Sequence, residues 1–124
     1  MKELTITAAD WDLFEVTEEI VLKEMDLLNE TMFEGLLNLD AIELDIDFID
    51  TEWGFCVEEE DGQGAILGLN DTFDSYEMFR NVLAHEMIHA YQIQACMPVN
   101  HSDVFYLFVK FANKKLGLDI QISH

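Results

Sequence analysis

The five residues from His85 to His89, which read His-Glu-Met-Ile-His, constrain this chain more than any other feature. Histidines four positions apart on an α-helix lie about 40° apart around its axis, so both imidazoles project from one face. This spacing suits a tetrahedral metal ion, and Glu86 between them lies beside the place where a metal-bound water would sit. The segment therefore predicts a helix and indicates hydrolysis by a metal-activated water.

The helix that contains this motif is predicted to begin near Asp74, which would form a capping box with Glu77, and to continue to about Ala95. It is apolar almost all around, which predicts a central buried helix. Pro98 disfavours helical geometry at the residue before it and so ends the helix. A second helix is predicted at 102–116. Its predicted core face consists of Phe105, Phe108, Phe111 and Ala112.

Upstream of this helix, the sequence predicts one helical region and three strands. Thr7 and Asp10 resemble a capping box that begins the helical region, which extends to about Leu37 with a break at residues 12–17, where the periodicity is poor. Alternating apolar and acidic residues predict that the first strand is half-buried with one acidic face. Residues 118–122 would form a terminal strand. The three upstream strands are predicted at Ala41–Phe48, Trp53–Val57 and Ala65–Leu69.

Length and composition fit a single domain that spans residues 1–124. Half of the residues are hydrophobic, which is enough to bury a core without disulfides or a structural metal. No apolar run approaches the ~20 residues of a transmembrane helix, and the acidic N-terminus does not resemble a signal peptide. Cys56 and Cys96 lack a C-x-x-C spacing and are predicted to be small buried hydrophobes. We therefore expect no membrane association and a cytoplasmic location, in the host cytoplasm if the chain is phage-encoded.

The net charge of −20 is unevenly distributed. Residues 1–62 carry 20 acidic residues and two lysines, a balance of −18, whereas residues 63–124 carry six acidic and four basic residues, a balance of −2. Such a field repels nucleic-acid phosphates and attracts cationic partners. The charge argues against direct nucleic-acid binding and favours basic polypeptides, such as DNA-binding proteins, as substrates. The commoner interpretation of such a charge distribution, which we favour, is a solvated face that contributes solubility.

The metal site needs a third protein ligand, because catalytic zinc takes three and keeps one position for water. His101 is favoured, since it follows His89 after eleven residues, a loop long enough to return the chain over the first helix. Asp103 is the alternative, because a carboxylate can replace an imidazole. Zinc is the expected metal, although imidazole sites also accept nickel, cobalt or manganese.

Glu86 is the expected general base. It would take a proton from the metal-bound water and pass a proton to the leaving amine. A glutamate in so apolar a helix would be costly to bury without a partner, and the metal-bound water is such a partner. Tyr91 and Tyr106 are candidate hydrogen-bond donors to a transition-state oxyanion, although aromatic core positions are the commoner role for such residues.

The run from Val82 to Tyr91, VLAHEMIHAY, followed by His101 and Phe105, resembles the SprT-like (Spartan-type) zinc metallopeptidase family. The strand pattern upstream is similar more loosely, and the resemblance covers about residues 28–124. It implies an α+β fold, namely a minimal zincin-like metallopeptidase domain. The implied elements are an N-terminal helix, a three-stranded antiparallel or mixed sheet, the active-site helix and a C-terminal helix. The resemblance also implies that His85, His89 and His101 bind zinc, with Glu86 as the base.

The leading functional hypothesis is a small zinc-dependent endopeptidase whose extended substrate pairs with an edge of the sheet. One alternative is an acidic DNA mimic, or binding protein, that keeps a structural zinc site without protease activity. Another is an inactive family member that works as a binding module, against which the intact Glu86 argues.

Overall fold

The computed structural model describes residues 13–60 and 64–122, which form a mixed α+β structure with three helices and two small sheets. The predicted capping residues Thr7 and Asp10 lie outside the described residues. The helices are α1 (Glu18–Met32), α2 (Tyr76–Gln94) and α3 (Asp103–Lys115). The strands are β1 (Phe14–Glu15), β2 (Ile42–Asp47), β3 (Gly54–Glu58), β4 (Ala65–Asn70) and β5 (Thr72–Phe73). No helix within these ranges is long and apolar enough to cross a membrane.

Helix α1 is shorter than the sequence predicted. It begins after Thr17, whose hydroxyl accepts a hydrogen bond from the backbone N–H of Ile20. This start agrees with the break in the helical region that the sequence predicted before residue 18. It ends at Met32, so the predicted extension to Leu37 is wrong. The reason is local: Glu34 and Gly35 adopt positive φ angles of 53° and 74°, which a continuing helix excludes.

The three predicted upstream strands are confirmed and form one mixed sheet in the order β2-β4-β3. Strand β4 is central, parallel to β2 and antiparallel to β3, with Ile42 opposite Ala65 and Gly54 opposite Leu69. The side chains of β2 alternate between covered apolar and exposed acidic residues, as predicted. Phe48 is an exception: it lies beyond the end of β2 and is 69% exposed.

Helix α2 packs against β3 and β4 and is buried along most of its length, as predicted. Its N-cap is Ser75 rather than Asp74, because the Ser75 hydroxyl accepts the backbone N–H of Met78 at 3.0 Å. The helix ends at Gln94, close to the predicted Ala95. Cys96, with a φ of 57°, turns the chain away, and its exposure contradicts the predicted burial, whereas Cys56 is buried.

Helix α3 follows the prediction at both ends, but its buried face is slightly rotated. Phe105 and Ala112 are fully buried, whereas Phe111 is 43% exposed and Val109 is buried. The side chain at 111 therefore faces partly outward, and its prediction as a core residue is wrong.

The predicted terminal strand at 118–122 is also wrong, since this segment pairs with no strand among the described residues. Hydrogen bonds from side chains hold this segment instead. The Asn113 amide makes hydrogen bonds to both the N–H and the carbonyl of the Ile120 backbone. The Asn81 side chain accepts a hydrogen bond from the backbone N–H of Asp119 at 2.9 Å. These hydrogen bonds fix the segment to α3 and to α2, the helix that contains the histidine motif.

Candidate metal centre

Three histidines from two neighbouring segments form a compact triangle. His85 and His89 lie one turn apart on α2, and His101 lies just before α3. The ring centroids are 5.0 Å apart for His85 and His89, and 5.2 Å from each of these to His101. One nitrogen from each ring lies within 4.8 Å of the others, close enough for all three to bind one metal ion.

Asp103, the alternative third ligand, does not belong to this group. The loop between α2 and α3 presents His101 instead. The loop is held to α2 near both of its ends, because Met97 donates its backbone N–H to the carbonyl of Gln92 at 2.8 Å and the Gln92 amide donates to the carbonyl of Asn100 at 2.9 Å. The eleven-residue connection therefore returns the chain over the motif helix, as the sequence indicated.

Hydrogen bonds set the orientation of the two helical imidazoles. Nδ1 of His85 lies 2.6 Å from the backbone carbonyl oxygen of Gln121, and Nδ1 of His89 lies 2.8 Å from Oε1 of Gln92. An amide oxygen only accepts, so each Nδ1 carries a proton, and Nε2 is the nitrogen of each ring that can bind a metal ion. Metal-bound histidines in proteins typically make this second bond, so the residues present fit a divalent metal ion.

The floor of the triangle is a single buried aromatic side chain. The Phe105 ring centroid lies 4.8 Å from that of His85, 5.0 Å from His89 and 4.5 Å from His101. Phe105 is fully buried at the start of α3, four residues after His101. It therefore holds all three rings from one side and leaves the opposite side to the cleft.

Glu86 is buried and lines the same cleft as the three histidines. Strand β3 passes close to it because Gly54 has no side chain. A Cβ at this position would lie 3.0 Å from the Gly68 carbonyl oxygen, 3.1 Å from Val82 and 3.4 Å from Cγ of Glu86. The close approach of β3 therefore favours glycine here, because a larger residue would force these neighbours to move.

Cys56 also lines the cleft, but its sulfur is not among the ligand atoms that lie within 4.8 Å of one another. Burial, reinforced by the nearby negative charge of Glu86, raises the pKa of Cys56 to about 12. In the metal-free protein the thiol is therefore neutral at physiological pH.

The cleft is open and has a volume of about 610 Å³. Its acidic side chains are Glu52 and Glu86, and none of the residues that line it is Lys or Arg. Strand β3, which forms one wall, is an edge strand of the described sheet. The lining residues are Glu52, Gly54, Phe55, Cys56, His85, Glu86, His89, Val99, Asn100, His101 and Ile122.

Neither tyrosine considered as an oxyanion donor lies in this cleft. Tyr91 packs against Phe33 and Phe108, with centroid distances of 5.8 Å and 4.9 Å. Tyr106 is 50% exposed on α3. Both therefore occupy positions away from the candidate metal centre, and their prediction as oxyanion donors finds no support in the geometry.

Sequence reasoning missed three groups that shape the site. The position of Gln92 could have been inferred from the sequence, since it lies three residues after His89 and so on the same helix face. For Gly54 the indication is weaker, namely a glycine at the start of a predicted strand. Nothing in the sequence indicates the carbonyl of Gln121, because any residue type supplies a backbone oxygen.

Neither a scan against models of known protein families nor a search of curated proteins gave a match to this chain.

Proposed function

We propose that this chain is a zinc-dependent endopeptidase with a minimal zincin-like domain of the SprT-like kind. The observation that carries the proposal is the triangle of His85, His89 and His101 with Glu86 in the same cleft. A purely structural zinc site is normally closed by four protein ligands, whereas three imidazoles beside an open cleft match a catalytic one. The motif, the converging rings and the buried carboxylate all support hydrolysis.

The chemistry divides between the metal and the chain. When bound, zinc supplies Lewis acidity that lowers the pKa of water toward ~7 and polarises a carbonyl group. The Glu86 carboxylate accepts a proton from the attacking water while the oxygen of that water forms a bond to the carbonyl carbon. The same group then delivers that proton to the amide nitrogen as the C–N bond breaks. His85, His89 and His101 would hold the metal ion, and the hydrogen-bond partners of Nδ1 fix the orientation of the His85 and His89 rings.

The substrate that fits this cleft is an extended polypeptide. The outer edge of β3 can pair with a further strand, because β3 is hydrogen-bonded only to β4 among the described strands. A peptide paired there would pass alongside Glu86 and the histidines, which line the same cleft as β3. The exposed carboxylate of Glu52 in the cleft, added to the net charge of −20, favours cationic segments such as those of DNA-binding proteins.

The experiment that tests the proposal is removal and return of the metal. The parent protein, incubated with disordered basic and disordered acidic proteins, is expected to cleave with zinc, to lose activity with a chelator and to regain it with added zinc. Activity should follow the zinc content per chain, with one ion per chain at saturation. Absence of cleavage across all substrates with one bound zinc would exclude the peptidase proposal.

The exposed carboxylate of Glu52 at the mouth of the cleft is expected to influence substrate choice. Replacing it in Glu52→Gln should lower kcat/KM for lysine- and arginine-rich peptides about two- to fivefold, the range of one exposed ion pair, without affecting neutral peptides. The difference should disappear at high salt. Glu30→Gln, an equal charge change on the exposed face of α1, is the matched control. Equal effects in both variants would assign the preference to net charge alone.

A second candidate function has one observation in its favour. Glu43, Asp45 and Asp47 on β2 are all exposed and project from one face of the edge strand. An acidic surface of this kind would suit a protein that occupies the DNA-binding groove of a basic partner. Binding to basic DNA-binding proteins that survives Glu86→Gln and is lost at moderate salt, without any cleavage, would favour this function.

A further inference from the structure

Gln92 has a completely buried side chain and lies in the last part of α2, three residues after His89. A buried amide is costly unless its oxygen and nitrogen are both hydrogen-bonded. Here Oε1 lies 2.8 Å from Nδ1 of His89, and Nε2 donates to the backbone carbonyl of Asn100 at 2.9 Å. Both halves of the amide are therefore used at the candidate metal centre.

The two bonds together fix the direction of the amide and the tautomer of His89. The Asn100 carbonyl can only accept, so the nitrogen of the Gln92 amide must face it and the oxygen must face His89. That oxygen can only accept from Nδ1–H. The arrangement therefore makes Nε2 the nitrogen through which the neutral His89 ring can bind a metal ion.

The second bond acts on the loop that carries the third ligand. Asn100 immediately precedes His101, and the Gln92 side chain holds it against the end of α2. The backbone carbonyl of Gln92 accepts a further bond from Met97, at the start of the same loop. Gln92 thus contacts the loop near both of its ends. Because it also bonds to His89, it links the position of His89 to that of His101.

We propose that Gln92 is a positioning residue that couples the orientation of His89 to the loop bearing His101. The proposal deepens the proposed function and rests on it for the identity of the metal. Loss of a partner that orients a metal ligand typically lowers metal affinity about 10- to 100-fold. Because Gln92 orients one ligand and restrains another, a loss in this range is expected when both of its bonds are removed.

The experiment compares Gln92→Leu with Gln94→Leu. Gln94 is a matched control, because its amide also makes two hydrogen bonds, both to the backbone of Asn38, away from the metal centre. Competition with a chromophoric chelator should give a zinc Kd about 10- to 100-fold higher for Gln92→Leu and unchanged for Gln94→Leu. The visible absorption of the cobalt-substituted protein should change in Gln92→Leu only. Equal affinities in the parent and Gln92→Leu would overturn the proposal, as would equal losses in the two variants.

A second measurement needs neither metal nor activity. The ¹⁵N shifts of the imidazoles in the metal-free parent should show His89 as the Nδ1–H tautomer, and Gln92→Leu should lose that preference. Gln92→Glu keeps an acceptor for His89 but loses the donor to Asn100, so it should retain the tautomer and lose less zinc affinity. An Nε2–H tautomer in the parent would overturn the proposal even if Gln92→Leu does not fold.

These outcomes separate the two proposals. A parent that binds zinc without cleaving any polypeptide contradicts the peptidase function and leaves the role of Gln92 to be decided by the zinc affinities. A parent that binds neither zinc nor cobalt contradicts the zinc-enzyme function, and the nitrogen shifts still decide whether Gln92 sets the tautomer of His89.

Discussion

Replacing the carboxylate in Glu86→Gln is expected to lower kcat/KM for a disordered protein substrate by about 10²- to 10⁴-fold, the usual contribution of a positioned general acid–base group. The amide has almost the same shape, so the buried position should be filled without a cavity. It cannot accept a proton at neutral pH, and the attacking water then lacks its base. The measurement is a zinc-saturated cleavage assay of the two proteins, with zinc content determined in the same samples.

The matched control for this change is Glu77→Gln, an exposed glutamate in the first turn of the same helix. It removes one charge from α2 without reaching the cleft, and its kcat/KM should equal that of the parent. Zinc content should stay at one ion per chain in both variants, because Glu86 is not among the three grouped ligands. Equal cleavage by Glu86→Gln and the parent would show that Glu86 is not the base.

The second large effect is expected at the loop between α2 and α3. His101→Ala should raise the zinc Kd more than about 100-fold, since loss of a ligand should exceed the 10- to 100-fold typical of a partner that only orients one. His101 is exposed and its imidazole is not needed to fill the core, so the metal-free variant should unfold at nearly the temperature of the metal-free parent. Competition with a chromophoric chelator measures the zinc Kd, and thermal unfolding in the presence of a chelator measures the stability of the metal-free proteins.

Asp103→Asn distinguishes the two ligands that the sequence left open. Asp103 is the first residue of α3 and lies outside the histidine triangle. The variant should therefore bind zinc like the parent and keep the parent's activity. A large loss of zinc in Asp103→Asn with little loss in His101→Ala would reverse the assignment of the third ligand.

Local sequence accounts for much of this fold. Helix α2 and strand β2 each follow from the periodicity of a single element. The bounds of both agree with the prediction within a few residues, and so do the burial of α2 and the alternation of side chains in β2. Phe111 is the exception within a periodic element, and two further errors fall where periodicity carries no information. Helix α1 ends early because Glu34 and Gly35 take positive φ, and residues 118–122 are bound by side chains rather than by a neighbouring strand.

The sequence by itself determined that His85, Glu86 and His89 share one stretch of a buried helix, because helical periodicity is a property of the backbone. Only the tertiary structure decided that His101 rather than Asp103 completes the triangle and that Phe105 supports all three rings. It also decided which oxygens meet the two Nδ1 atoms. Those contacts join residues from separate segments, and the distance between segments depends on packing of the whole chain rather than on the pattern within any one element.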